Sequence, residues 1–295
     1  MTSNHTKPYF KLHLIVVIAA FTAVLGEFIS LPAYSLVIWR TGISAVILGL
    51  WLRGKVVKFK FKWVALFTGL ILGAHWMTFF GAVNLANISI CLTGMATASL
   101  FTAATEAIQE KRLPYKHEIW LGLLIIPGII LIAGVESGHL SGLLCGILSA
   151  LFAAIFPVIN KSLVRKGAAA ESITFYEMIG AMIACALFSI IMNAEYSHFV
   201  PIGLDWLWLV TLAAVCTVYA FSLYVDLLKY FSAYESTLAM NFEPVYGIIL
   251  AAVFFAEHEN LHPLFFLGAG TIILANLLNP IFARRRRASI TQSMN

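Results

Sequence analysis

The chain has 295 residues, 61% of them hydrophobic and only 11% charged, and its formal net charge is +5. A soluble domain carries about 25% charged residues, and a globule of this length has too little interior to bury so many apolar side chains. The composition therefore excludes a soluble domain. It predicts an all-α polytopic membrane protein whose apolar surface is covered by lipid.

Apolar segments long enough to cross a bilayer recur ten times along the chain. A hydrocarbon core about 30 Å thick requires roughly 20 apolar residues in a helix. The connections between the segments are short, so they leave no room for a soluble domain. The predicted spans cover residues 12–30, 32–52, 63–84, 87–109, 116–135, 140–161, 172–193, 205–229, 233–256 and 263–282.

The basic residues are distributed in a way that predicts an orientation. If the N-terminus lies inside, 18 of the 19 Lys and Arg residues fall on the cytoplasmic side, in agreement with the positive-inside rule. The nineteenth, Arg40, lies within the second span. The basic clusters thus serve topology, and no binding of nucleic acid is expected. They predict a multi-pass protein of the inner (plasma) membrane with both termini in the cytoplasm.

The two halves of the chain show weak similarity to each other. Spans 4–5 and 9–10 share residues at an offset of 147, which pairs Glu110 with Glu257. Spans 2 and 7 align at an offset of 137, which pairs Arg40 with Glu177. Because five is an odd number, two five-helix repeats must be inverted in the membrane, as in many secondary transporters. The predicted domains are a first repeat at 1–137, a second repeat at 138–283 and a basic cytoplasmic tail at 284–295.

No motif of a known catalytic centre is present in the sequence. HExxH, P-loop, GxSxG and CxxC patterns are all absent, so the sequence indicates neither an enzyme, nor a metal site, nor a cofactor. Because there is no ATP site, active transport must draw on an ion gradient or on the gradient of the substrate itself.

Ionisable side chains within the spans are the main functional signal. At membrane depth they cost several kcal/mol unless they face a partner or a water-filled cavity. Glu27, Asp226 and Glu235 lie near span ends, where they can reach interfacial water. The deeper groups either serve transport or form structural ion pairs. The residues predicted to bind substrate or to couple its transport are Arg40, His75, Trp76, Glu106, Glu177, Asn241, Glu243 and Pro244.

Two pairs of neighbouring residues lie near the middle of spans. Pro244 has no N–H, so the carbonyl of Met240 loses its helical donor and needs water or another partner. Glu243 beside it is therefore predicted to face a cavity. His75 and Trp76 are predicted to line the same cavity and to receive an apolar or aromatic group, the alternative being a packed core pair.

Five phrases of the sequence resemble the EamA family of the drug/metabolite transporter superfamily. The phrases are "LVIWRTGISAVIL", "GAHWMTFFGAVNLANIS", "EKRL", "FYEMIGAMIA" and "NFEPVYGIILAAVFFAE", and the resemblance covers residues 10–282. It implies a central cavity formed by spans 1–4 and 6–9, with spans 5 and 10 at the periphery. Arg40 matches an arginine that is frequent in span 2 of the family, whereas Thr97 stands where many members have the equivalent of Pro244.

The resemblance also implies transport of small metabolites, often the export of amino acids. We therefore predict a secondary transporter that exports an amino acid or related zwitterion by alternating access, in the lipid bilayer, as a monomer or homodimer. A proton is the candidate coupled ion. The alternative is uptake or exchange of a larger cofactor-like or nucleotide-like metabolite, because a fold does not determine a function. A membrane-embedded enzyme would need clustered polar groups at one depth, and a channel would need a ring of like groups.

Overall fold

The computed structural model describes residues 6–53, 59–275 and 278. Every regular element in this part of the chain is a helix. The predicted basic tail at 284–295 and the basic residues Lys55 and Lys58 lie outside the described residues. The helices are α1 (Thr6–Glu27), α2 (Ala33–Leu52), α3 (Lys62–Leu85), α4 (Ile88–Met95), α5 (Ala98–Gln109), α6 (Lys116–Val135), α7 (Leu140–Ala153), α8 (Phe156–Arg165), α9 (Ala170–Ile191), α10 (Asp205–Thr211), α11 (Ala220–Leu227), α12 (Ala233–Met240), α13 (Glu243–Phe255) and α14 (Pro263–Ala275).

Helices overlap each of the ten predicted segments. Within the described residues, eight helical segments are long and apolar enough to cross a membrane, so the chain is a multi-pass membrane protein. Two shorter apolar helices, Leu124–Val135 and Pro263–Ala275, occupy the positions of predicted spans 5 and 10. These two pack on each other through Gly128 and Gly268, where a Cβ on Gly128 would lie 2.7 Å from the carbonyl oxygen of Gly268.

Three of the predicted spans are broken near their middle. Span 4 is divided into α4 and α5, span 6 into α7 and α8, and span 9 into α12 and α13. Span 8 stays continuous but contains a π-helical segment, Leu212–Tyr219, between α10 and α11. Because the unpaired backbone groups at a break need polar partners, such breaks occur in membranes only where protein or a cavity surrounds them.

The breaks in spans 4 and 9 correspond to each other. Each span begins with an eight-residue helix, α4 or α12, that ends at Met95 or Met240, 145 residues apart, and a two-residue break follows each. This register differs by two residues from the offset of 147 expected from the sequence. It places Ser99, rather than Thr97, opposite Pro244. The few identities in the sequence were too sparse to distinguish the two registers.

Spans 4 and 9 also cap each other at both ends. The carboxylate of Glu257, just after α13, accepts hydrogen bonds of 2.9 Å from the backbone N–H groups of Ile88 and Ser89 at the start of α4. Near the end of α5, the carboxylate of Glu106 accepts bonds of 3.2 and 3.3 Å from the N–H groups of Ala233 and Tyr234 at the start of α12. Carboxylates at helix N-termini satisfy free donors and complement the helix dipole.

The acidic side chains near the span ends have local structural partners. Asp226 forms an exposed ion pair of 2.8 Å with Lys229, and Glu235 completes a capping box with Ser232 at the start of α12. The prediction that these residues lie at the ends of spans is thus in agreement with the fold.

Two contacts join loops and span ends that lie on the same side of the membrane in a topology of ten alternating spans. Asp205 accepts a hydrogen bond of 2.7 Å from the hydroxyl of Ser30, and Glu136 accepts one of 2.7 Å from the N–H of His262. All four residues belong to predicted outer loops or to the ends of spans that face them. This pattern supports the predicted alternation.

The orientation itself is open to a direct test. Reporter proteins fused after Pro114 or Arg165 are expected to read as cytoplasmic, and fusions after Ser137 or His198 as external, because the basic residues flank the first two positions. Paired phosphatase and fluorescent-protein fusions measure this. A cytoplasmic signal from either of the last two fusions would contradict the ten-span topology.

Glycines bring α9 into close contact with α3. A Cβ on Gly69 would lie 2.7 Å from the Cα of Glu177, and a Cβ on Gly73 would lie 2.8 Å from the Cα of Ala181. From the other side, a Cβ on Gly180 would contact the carbonyl oxygen of Leu66 and lie 2.9 Å from the Cα of Gly69. The Gly69-xxx-Gly73 spacing is typical of such packing.

The substitution Gly180→Ala is therefore expected to destabilise the protein by about 1–3 kcal/mol, the usual cost of overpacking. Gly134→Ala is the matched control, since a Cβ there meets nothing within 4 Å and alanine is the better helix former. Thermal unfolding in detergent measures both variants. Equal midpoints for the two would show that the contact between α3 and α9 has no role in stability.

Candidate functional site

A cavity lies in the middle of the helical body, where the breaks in spans 4, 6 and 9 meet. It encloses about 890 Å³, its opening included, and it is lined by residues of α1, α2, α3, α11 and the broken spans. None of the described lining residues belongs to α6 or α14, as the resemblance implied for spans 5 and 10. None belongs to α9 either, although span 7 was expected to contribute. The small-residue face of α9 is instead packed against α3.

Arg40 is a cation in the wall of this cavity. Its side chain is buried, its Nε donates a hydrogen bond of 2.7 Å to Oγ1 of Thr217, and its Cζ lies 3.9 Å from the centre of the Trp76 ring. Thr217 belongs to the π-helical segment and donates to the carbonyl of Leu212, five residues earlier. The π turn thus positions the hydroxyl that orients the guanidinium.

The Arg40 guanidinium is not neutralised within the described part of the chain. No carboxylate there lies within the 4.0 Å that defines an ion pair with Arg40, and its Nη1 has no hydrogen-bond acceptor. A buried donor without a partner costs about 1–3 kcal/mol, and more when it is charged. The wall of the cavity at Arg40 therefore carries a positive charge and a hydrogen-bond donor without a partner among the described residues.

The break in span 9 supplies a further part of the wall. Asn241, Glu243 and Pro244 all line the cavity, and α13 begins at Glu243 with Pro244 in its first turn. The amide Nδ2 of Asn241 is buried and has no acceptor among the described residues. Glu243 is only partly buried and presents a carboxylate to the cavity. The predicted local opening of the helix beside Pro244 is present.

His75 lines the cavity on the side of α3. The Ser149 hydroxyl lies 2.9 Å from both the His75 carbonyl oxygen and the ring Nδ1. His75 Nδ1 also lies 3.1 Å from the Ser149 carbonyl oxygen. These contacts hold the His75 ring against α7.

Aromatic rings form part of the remaining wall. The Phe221 ring centroid lies 5.7 Å from that of Trp76 and 5.8 Å from that of Phe156, and Phe79 and Tyr224 also line the cavity. Rings at these distances stabilise one another and leave an apolar surface for a ligand. The cavity therefore has a polar end, formed by Arg40 and the break in span 9, and an apolar wall.

Glu106 lies outside the cavity lining. It is buried, it forms an ion pair of 3.3 Å with Lys161, and its two oxygens accept the backbone bonds from the start of α12. These partners account for both of its carboxylate oxygens. The geometry gives Glu106 a role in joining the two halves at the predicted inner side, which differs from the grouping with the cavity residues expected from the sequence.

Glu177 also lies outside the cavity lining. Its side chain is fully buried and accepts a hydrogen bond of 2.8 Å from Nδ2 of Asn160 on α8. The sequence left open that the deep charged residues form structural ion pairs. Within the described residues, Arg40 forms no ion pair with Glu177 or with Glu243. Six of the eight predicted residues thus share one cavity, and the two other carboxylates are enclosed beside it.

The sequence analysis missed several polar and aromatic residues of this region. Thr217, Asn160, Phe221 and Tyr224 carry no signal of their own, because such residues are common in membrane helices. Phe156 was accessible to prediction, since it precedes Pro157 at the break in span 6, and prolines within spans mark such breaks.

Comparison with known proteins agrees with the resemblance. Residues 140–279 match the model of the EamA-like transporter family, which confirms the predicted resemblance over that part of the chain. No curated protein matches the chain. Among 23 matching chains of solved structures, one described as "Crystal structure of protein" has 16% sequence identity and a TM-score of 0.69, over 96% of this chain and 100% of that chain. This likeness shows the fold.

Proposed function

We propose that this chain, whose residues 140–279 match the EamA-like transporter family, is a secondary transporter that exports an amino acid or a related zwitterion. The observation that carries the proposal is the pair of unpartnered donors in one cavity, Nη1 of Arg40 and Nδ2 of Asn241. A carboxylate is the ligand group that would satisfy both, because charge-assisted bonds to guanidinium are strong.

The second charge of a zwitterion has a partner in the same cavity. Glu243 lines it, and its carboxylate forms no ion pair with Arg40 within the described residues. A substrate placed between them would offer its carboxylate to Arg40 and its ammonium group to Glu243. The aromatic wall around Phe221 would then receive an apolar side chain.

The fold supports transport by alternating access. The corresponding breaks in spans 4 and 9, and the capping of each by a carboxylate of the other, are the arrangement that two inverted five-helix repeats would produce. We extend the proposal to that architecture, with repeats at 1–137 and 138–283, both termini in the cytoplasm and the protein in the inner membrane. The basic residues on the inner side support this orientation.

The five aromatic rings favour a second candidate, a larger cofactor-like or nucleotide-like metabolite. Aromatic side chains can stack on a base as well as pack on an apolar side chain.

Counterflow in proteoliposomes distinguishes the two candidates. Vesicles loaded with a mixture of amino acids are expected to accumulate at least one labelled amino acid, and cells that overproduce the protein are expected to tolerate a toxic analogue of it. Exchange of nucleotides without exchange of any amino acid would establish the second candidate in place of the first.

A further inference from the structure

A buried pair of side chains beside the cavity has no role in the binding site described above. Asn160 on α8 and Glu177 on α9 are each fully buried, with 0% of the side chain exposed. Nδ2 of Asn160 donates a hydrogen bond of 2.8 Å to Oε1 of Glu177. An ionisable group enclosed at membrane depth marks a functional site more often than a structural one.

Two oxygen atoms of this pair receive no hydrogen bond from the described part of the chain. Oδ1 of Asn160 and Oε2 of Glu177 are both buried and without a partner among the described residues. Both atoms are acceptors as long as Glu177 is ionised, so neither can satisfy the other. One proton on Oε2 turns the carboxylate into an acid whose O–H can donate to Oδ1. A single proton would thus satisfy both oxygens and close a two-bond ring between an acid and an amide.

The charged groups on the helices packed against α9 form no ion pair with Glu177 within the described residues. Tyr34 on α2 contacts His198, and Arg165 on α8 is exposed. Arg40 on α2 bonds to Thr217, His75 on α3 contacts Ser149, Lys161 on α8 pairs with Glu106, and Tyr224 on α11 bonds to Ser236. Lys62 lies beside Trp63, and Asp226 pairs with Lys229. No described cation lies within ion-pair distance of Glu177. An isolated carboxylate in so dry a place would cost several kcal/mol.

The position of Asn160 connects the pair to the transport machinery. Asn160 precedes Lys161, whose Nζ lies 3.3 Å from the Glu106 carboxylate at the cap of α12. At its other end α8 begins with Phe156, which lines the cavity. A change in the bond between Asn160 and Glu177 would therefore act on a helix that contacts both the substrate cavity and the inner cap.

We propose that Glu177, paired with Asn160, is the site that binds the coupled proton. The inference rests on the proposed function, since a coupled proton requires a transported substrate. The proton joins α8 to α9 by a second hydrogen bond and removes the buried charge. Loss of the proton leaves a charge that is stable only when water reaches it, so release is linked to separation of α8 from α9.

The substitution Glu177→Gln tests this inference, because glutamine keeps the shape and supplies a permanent N–H donor to Oδ1 of Asn160. The variant is expected to exchange substrate between the two sides within about threefold of wild type, because exchange needs no net proton movement. Its acceleration by a pH gradient is expected to be lost. Glu171→Gln is the matched control on the same helix, since Glu171 is exposed, and it should keep both activities. A Glu177→Gln variant with full acceleration by the gradient would overturn the inference.

Infrared spectroscopy tests the protonation of Glu177 without a transport assay. Infrared difference spectra of the purified wild-type protein between acidic and alkaline pH should show the carbonyl stretch of a buried carboxylic acid. The band should vanish in Glu177→Gln and shift in Asn160→Ala, which removes its partner. A band unchanged in Glu177→Gln would assign the proton elsewhere and overturn the inference. Absence of exchange with any amino acid in wild type would instead refute the proposed function, and the infrared result would still be informative.

Discussion

Arg40→Ala is expected to reduce transport by at least about 100-fold, because removal of one member of a buried charge pair costs about 3–5 kcal/mol. In the variant the substrate carboxylate would enter the cavity without a cation to receive it. The fold should persist, since the Arg40 side chain forms no ion pair within the described residues and donates its one hydrogen bond there to Thr217. Uptake of labelled substrate into proteoliposomes measures the effect.

Two further variants separate charge from geometry. Arg40→Lys keeps the positive charge but loses the planar fork and the stacking on Trp76, so a partial loss of about 10-fold is expected. Ser44→Ala is the control on the same helix, because Ser44 is buried and bonds to the Arg40 carbonyl without lining the cavity. Normal transport by Arg40→Ala, with normal amounts in the membrane, would place the substrate elsewhere.

Glu243→Gln is expected to weaken substrate binding by about 10- to 100-fold, because a hydrogen bond to a charged group is worth about 1.5–3 kcal/mol. Glutamine keeps the shape of Glu243 but cannot neutralise an ammonium group. The loss should affect apparent affinity first and should affect exchange as well as net transport. Pro244 and the break in span 9 remain in place, so the cavity itself should be preserved.

The dependence on pH distinguishes this role from proton transfer. If Glu243 binds the ammonium group, the variant should keep its acceleration by a pH gradient at saturating substrate. Concentration series with and without the gradient measure this. Wild-type exchange together with wild-type pH dependence would exclude both roles for Glu243. Loss of the pH dependence alone would assign the proton-binding site to Glu243 instead of Glu177.

The class of protein and the outline of the helices were accessible from the sequence, because hydrophobic length and the positions of Lys and Arg are strong constraints in a bilayer. Cavity residues could be predicted where chemistry conflicts with the membrane. Arg40 and Glu243 are charged at membrane depth, and Pro244 cannot continue a helix. Such conflicts are rare in a chain that is 61% hydrophobic, and each one therefore carries information.

The residues that contact these side chains could not be predicted from the sequence. The break after Met95 has no proline, so nothing in the local sequence marks it. Glu106 and Glu177 are ionisable residues within spans, as Glu243 is, but only tertiary contacts show that Lys161 neutralises one and Asn160 contacts the other. The sequence could identify unusual side chains. It could not assign each to the cavity, to a cap or to an enclosed pair.

The central claim is that Arg40 binds the carboxylate of a substrate and Glu243 its ammonium group. Binding of one transported amino acid, its decarboxylated amine and its deaminated acid to the purified wild-type, Arg40→Ala and Glu243→Gln proteins tests it most directly. We expect Arg40→Ala to lose the preference for the amino acid over the amine, and Glu243→Gln to lose the preference over the deaminated acid. Wild-type preferences in both variants would contradict the account.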